Sequence, residues 1–330
     1  MTNPTMTTAA VTSPATTAPA ATAPDSDLEA ARSEFRDELL ASGLLIDAGE
    51  LGLYGRSGLF EDVVDGISRS VTRLLADLNA ERMRFAPVFP RPEFENTDYI
   101  VSFPHLTGAV NGFTGTEADH RRLVSARANG EDWSAWLSPA ETVLVPAVCH
   151  PLYERLRGTL PAGGRTFDLS GFCFRHEPSI DPMRLQAFRQ QEFVHVGLET
   201  DAGEFRNAQN ERQLAGLLDL GLDARVVAAN DPFFGRTGRM LARNQLADEA
   251  KLEVVVPIYG DLDEGTAIAS ANNHGDHFGA TFGIQTVDGS PSASSCLGWG
   301  LERIALALVR THGTDVASWS PAVRSSLSLA

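Results

Sequence analysis

Apolar positions along the chain recur with two periods. Phe60, Val63, Val64, Ile67, Val71, Leu74, Leu75 and Leu78 keep the i, i+3, i+4, i+7 spacing of a long helix with one buried face, entered from the glycine-rich stretch 52–58. Upstream, Leu28, Phe35, Leu39 and Leu40 predict a shorter amphipathic helix that stops at Gly43, and Ser26-Asp27-Leu28-Glu29 has the spacing of a capping box at its start. Beyond residue 80 the period changes. Residues 83–90 read as extended, with prolines that confine them to an edge or an interface. Residues 99–104 predict a strand, 117–129 a surface helix and 144–149 a strand edge ending on Cys149. From Gly171 on, Phe172, Phe174 and His176 alternate with Cys173, Arg175 and Glu177, so one face is packed while Arg175 and Glu177 share the other. A polar loop follows, with Pro178-Ser179 and Asp181-Pro182 as turn formers and Arg184 and Arg189 as cations. It returns through Gln190-Gln191-Glu192-Phe193. Near the C-terminal end, Gly298-Trp299-Gly300 feeds a helix whose first turns carry Arg303.

Composition narrows what these elements serve. At 330 residues and 43% hydrophobic the chain has ample material for a core in one or two domains. Residues 1–24 are Thr, Ala and Pro and predict a disordered tail. A net charge of −16 argues against a large nucleic-acid surface. Of 27 basic residues a single one is lysine, Lys251, an imbalance that reads as genomic base composition. Three widely spaced cysteines give no disulfide framework and no C-x-x-C pair, so by spacing alone they are small buried hydrophobes. Nothing resembles a membrane span or a secretory signal, so a cytoplasmic protein is expected.

A hairpin that aims arginines, carboxylates and an aromatic at one place suits a planar anion such as a nucleotide, because guanidinium forks match phosphate oxygens. The plain alternative is a solvated face of exposed ion pairs. Arg236, Arg239 and Arg243, three and four apart, would line one side of a helix. Against the acidic background that stripe reads either as a solvated face or as a dock for an acidic partner. His274 and His277, three apart in a Gly-containing turn, are a possible metal pair or the lining of a pocket.

Phe174-Arg175-His176-Glu177 and Gly298-Trp299-Gly300-Leu301-Glu302-Arg303 resemble the second and third signature motifs of class II aminoacyl-tRNA synthetases, F-R-x-E and G-x-G-x-E-R. The long helix running into the proline-containing strand is similar to the first motif, through which family members form a homodimer. The resemblance is strongest to the atypical, methanogen-type seryl-tRNA synthetases and their shortened bacterial relatives, the amino acid:[carrier protein] ligases. It implies an α/β (α+β) fold, an antiparallel sheet flanked by helices over residues 25–330, with a helical insertion at about 202–252 that holds the arginine stripe and binds the carrier.

It also implies roles. Arg175 would hold the α-phosphate and the amino acid carboxylate, Arg303 the γ-phosphate, Glu177 the adenine amino group, and Phe193 would stack on adenine. Arg184 and Arg189 would face ATP. Cys149, Glu192 and Cys296 would hold one zinc ion with an open position for the substrate amine. Magnesium is expected with ATP, yet residues 267–273 offer no acid, which leaves Glu264 and Asp276 as nearby ligands. The implied reaction is activation of a small amino acid, glycine or alanine, and its transfer to the phosphopantetheine thiol of a carrier protein, with no tRNA and no membrane involved. A minimal seryl-type tRNA synthetase and a catalytically silent regulatory paralogue are the rival readings.

Overall fold

The computed structural model describes residues 25–231, 234 and 250–329. The expected tail and the arginines at 236, 239 and 243 lie outside the described residues. Helix α1 spans Asp25–Ala41 and α2 Gly58–Leu74. The apolar stripe of α2 is buried at Phe60, Val63, Val64, Ile67 and Val71, and Ser57 caps it by accepting from the Phe60 amide. Ser26 does not cap α1: the helix already begins at Asp25, and the Ser26 hydroxyl donates to Asp27 instead. A capping box does form at Thr116 and Asp119, opening α3, Glu117–Ala128.

Among the described residues the main sheet has seven strands: β1 Glu81–Met83, β2 Arg165–Phe174, β3 Ala187–Gly197, β4 Arg225–Ala228, β5 Lys251–Val256, β6 Thr266–Gly275 and β7 Ala293–Gly300. Their order is β4-β5-β6-β7-β3-β2-β1, antiparallel throughout except for β1 beside β2. On one face α1, α2, α4 (Glu199–Asp219), α5 (Leu301–His312) and α6 (Pro321–Leu327) close a core in which Ile67 and Ile304 meet Phe193 and Trp299 of the sheet. On the other face Val194, Val196 and Cys296 pack with Tyr153, Phe278 and Phe282. Each such large side chain contributes about 1.5–3 kcal/mol by burial, and the two faces together fix which side every strand residue occupies.

Residues 202–219 of the expected insertion form most of α4, which packs on the sheet, and residues 225–228 supply its edge strand. Two strand expectations change. Residues 99–104 are helical, a turn at Tyr99–Ser102 followed by Pro104–Leu106, because Asp98 turns left-handed and the Tyr99 ring wedges among Phe94, Phe103 and His150. The strand before Cys149 is Ser138–Leu144, in a small sheet with Val88–Pro90 and Ala109–Gly112, and Cys149 itself opens the helical turn His150–Tyr153.

Candidate active site

A pocket of about 290 Å³ lies on the Tyr153 side of the sheet, with β3, β6 and β7 as its floor. Gly298 and Gly300 leave that floor bare at its centre, and residues of β3 point into it at alternate positions: Phe188, Gln190 and Glu192. The Cys173 thiol donates to Gln190 Oε1 at 3.0 Å, which turns the amide nitrogen of Gln190 away from β2.

Arg175 continues past the end of β2 into the pocket, its Nε donating to Pro146 O at 3.3 Å and its guanidinium standing 5.5 Å from the Phe188 ring centre. Arg303 enters from the first turn of α5 and is held by Met183 O at 2.7 Å and Ala267 O at 3.0 Å. Burial, and then the nearby guanidiniums of Arg175 and Arg184, pull Arg303 below the usual arginine value, against the opposing pull of Glu177 and Glu253. Glu177 lines the pocket and pairs at 3.3 Å with Arg184, which is exposed and does not itself line the pocket. The loop between them is pinned: Asp181 accepts from the Met183 amide and from Tyr259 and pairs with Arg32, while Gln186 donates to Leu51 O.

Two expected contacts go elsewhere. Phe193 is 2% exposed and packs in the helix-side core, because successive strand residues face opposite ways and Glu192 faces the pocket. The aromatic that lines the pocket is Phe188. Arg189 also faces the helices. It donates to Glu302 at 2.8 Å and to Glu61 at 2.6 and 3.0 Å, and its amide donates to Glu302 at 2.6 Å. Glu302, fully buried, also receives Arg56 at 3.5 Å, so the glutamate of G-x-G-x-E-R ties the hairpin to α5. Phe172, expected in a packed face, is 44% exposed beneath the guanidiniums of Arg56 and Arg189.

Among the described residues no three His, Cys, Asp or Glu side chains form a ready-made metal cluster. Cys149, Glu192 and Cys296 do line this one pocket, all buried. Glu192 lies beside the Cys149 thiol, and its Oε2 is buried with no partner. Burial pushes the Glu192 carboxyl up to about 7 against the pull of Cys149 and Arg175, and burial together with Glu192 raises both thiols. An orphaned carboxylate oxygen beside two thiols is a donor set that fits a zinc ion with one position left open. His274 does not pair with His277, which is exposed. Its Nε2 lies 3.5 Å from Cys296 Sγ and its Nδ1 3.0 Å from Ser294 Oγ.

A protein-held magnesium fits less well. Glu264 and Asp276 are not in the pocket. The acids on that side are Asp231 and Glu253, and Lys251 already bridges them, Nζ lying 2.5 Å from Asp231 and 2.9 Å from Glu253. Phe188 and Gln190 were legible from the strand period once Glu192 was set inward. Lys251, Asp231 and Glu253 carry no local motif: Lys251 and Glu253 come to the pocket through the pairing of β5 with β6, and Asp231 from the segment after β4.

No protein-family model matches the chain. The fold is similar to that of Methanopyrus kandleri SerRS, in its crystal structure with an A. aeolicus tRNASec, at a TM-score of 0.75 and 20% identity. The likeness covers 89% of this chain and 60% of that one. A type-2 serine–tRNA ligase of M. kandleri is 28% identical over 190 residues, 54% of this chain and 36% of that protein. The fold is the one found in class II aminoacyl-tRNA synthetases. Much nearer in sequence are two proteins of Bradyrhizobium diazoefficiens. Amino acid–[acyl-carrier-protein] ligase 2 is 44% identical over 293 residues, covering 88% of this chain and 87% of that protein. Ligase 1 is 41% identical over 292 residues, covering 88% and 89%. The chain belongs to the amino acid–[acyl-carrier-protein] ligase family.

Proposed function

We propose that this ligase activates a small amino acid, glycine or alanine, with ATP as an aminoacyl adenylate and transfers it to the phosphopantetheine thiol of a carrier protein. The observation that carries the reading is the meeting of Arg175, Arg303 and Glu177 with Phe188 and the Cys149, Glu192 and Cys296 group in one pocket. Adenine would lie against Phe188 with its amino edge toward Glu177, and the phosphates toward Arg303 and the exposed Arg184. A carboxylate oxygen of the amino acid attacks the α-phosphorus, the bond to the β-phosphate oxygen breaks, and pyrophosphate leaves. Arg175 meets the charge that builds at the α-phosphorus, and orientation does the rest, so no side chain need act as acid or base in this step. In transfer, the thiol sulfur attacks the adenylate carbonyl carbon, the carbon–oxygen bond to AMP breaks, and the AMP phosphate takes the thiol proton. Cys149, Glu192 and Cys296 would hold zinc, which when bound offers its open position to the substrate amine. The acidic surface, net −16, leaves the stripe Arg236, Arg239 and Arg243 as the dock for an acidic carrier, in a cytoplasmic homodimer whose catalytic domain runs from residue 25 to 330.

Acceptor-dependent labelling tests this. The full chain with ATP and radiolabelled glycine, alanine or serine is offered holo carrier protein, apo carrier protein and total tRNA in parallel. Label on the holo carrier alone, released by hydroxylamine, is expected. Label on tRNA makes the protein a minimal synthetase, and no label and no adenylate makes it a silent paralogue.

A further inference from the structure

Among the described residues four carboxylates face the pocket, and two of them are accounted for: Glu177 pairs with Arg184, and Glu192 stands with Cys149. The others, Asp231 and Glu253, converge on the ammonium of Lys251. The sheet register places Lys251 and Glu253 on the pocket floor, and Asp231 joins them from the segment that follows β4. Lys251 lies opposite Asn272, which itself lies opposite Cys296, and Glu253 lies opposite Ser270, then Gly298 and Glu192.

We propose that the Lys251 ammonium is a built-in cation that occupies the place between Asp231 and Glu253 which a protein-held divalent ion would otherwise take, so that the magnesium of the phosphates reaches this end of the pocket only with the nucleotide. This rests on the ATP-dependent reading above for its use, but not for its test.

The chemistry is that of a compact point charge. Two converging carboxylates are what magnesium and manganese sites are made of, and close to one another in a half-dry pocket they repel unless a cation sits between them. An ammonium is small enough to sit between two oxygens at 2.5 and 2.9 Å, whereas a guanidinium is a planar fork that spreads its charge over three nitrogens. Among the chain's 27 basic residues, this is the position held by its one lysine. The Lys251 side chain is 12% exposed, and although burial favours its neutral form, Asp231 and Glu253 more than offset that and hold it above its usual value. The strand that precedes G-x-G-x-E-R offers no carboxylate in the pocket to do this work instead.

The test is Mn²⁺ binding to the nucleotide-free full chain, followed by electron paramagnetic resonance. Wild type is expected to show no Mn²⁺ site that Glu253→Gln removes. Lys251→Met, verified as folded by circular dichroism, is expected to gain one saturable site per chain, and Lys251→Met with Glu253→Gln to lose it again. A wild-type site abolished by Glu253→Gln, or a folded Lys251→Met protein without a new site, would overturn the proposal. Should Lys251→Met fail to fold, the wild-type protein still decides. Its amino-acid-dependent pyrophosphate exchange should reach a plateau once all ATP is complexed with Mg²⁺, and a rate that keeps rising with free Mg²⁺ and loses that rise in Glu253→Gln sinks the idea. Absence of any exchange would count against the proposed reaction alone, because the Mn²⁺ arm needs no turnover.

Discussion

Phe188 and Phe193 lie on opposite faces of β3, and that difference separates binding from stability. Phe188 borders the pocket and carries the Arg175 guanidinium, while Phe193 is packed among α2, α5 and β7. Phe193→Ala should lower unfolding free energy by about 3–5 kcal/mol, since it opens a cavity in a closed core, with little change in KM for ATP in the folded protein. Phe188→Ala, at a half-buried ring packed against the edges of both cores, should cost less stability than Phe193→Ala and weaken ATP binding by about 1–3 kcal/mol, the usual worth of an aromatic stacked on a base. Denaturant melts and pyrophosphate exchange on both variants measure this, and the reverse pattern would put adenine somewhere else. The same face logic separates the arginines. Arg175 and Arg303 project into the pocket, while Arg189 is committed to Glu61 and Glu302 on the helix side, where it holds a buried carboxylate in balance.

At the scale of elements, β7 and β3 form the working surface and the hairpin closes over it. Gly298 is where β7 would otherwise raise a side chain into the pocket. A Cβ there would meet Ser270 Oγ at 3.2 Å, so that hydroxyl has to turn aside, and Glu192 Oε1 at 3.7 Å; the strand backbone itself carries no strain, and the added side chain fills the substrate space. Gly298→Val is therefore expected to keep the thermal midpoint within a few degrees and to raise substrate KM by about tenfold or more, 1.4 kcal/mol. A calorimetric scan and substrate titration check this, and an unchanged KM would mean that ligands do not lie across β7. Glu302 acts on the same scale: one buried carboxylate receives the backbone and side chain of Arg189 as well as Arg56, which locks the hairpin register to α5 and so sets how far Arg175 stands from Arg303.

For the whole molecule, two hydrophobic cores on either side of one sheet build the pocket before any ligand arrives. Metal removal should therefore act on chemistry rather than on folding, unlike in small zinc domains that unfold without their ion. Protein stripped with a chelator, its zinc content followed by elemental analysis, should keep its circular dichroism spectrum and a cooperative melt while losing amino-acid-dependent pyrophosphate exchange, which added zinc restores. Full exchange by zinc-free protein would remove the metal from the reaction. Among the described residues no helix is long and apolar enough to cross a membrane.

The sequence by itself determined what is written in short-range periodicity and in contiguous motifs: the stripe that buries α2, the two arms of the hairpin, the Gly-x-Gly turn into α5, and with them the class of fold and the arginines Arg175 and Arg303. Those signals survive because a helix face or a strand alternation is set by neighbours a few residues away. Tertiary structure decided whatever depends on which face meets which core. It sent Phe193 and Arg189 to the helices and Phe188 and Gln190 to the pocket, and it turned residues 99–104 from an apparent strand into a helical turn because the Tyr99 ring had aromatic partners to pack against. It also brought Asp231, Lys251 and Glu253 together beside residues more than forty positions away in the sequence. Antiparallel pairing sets such a meeting through strand register, and no local run of residues records it.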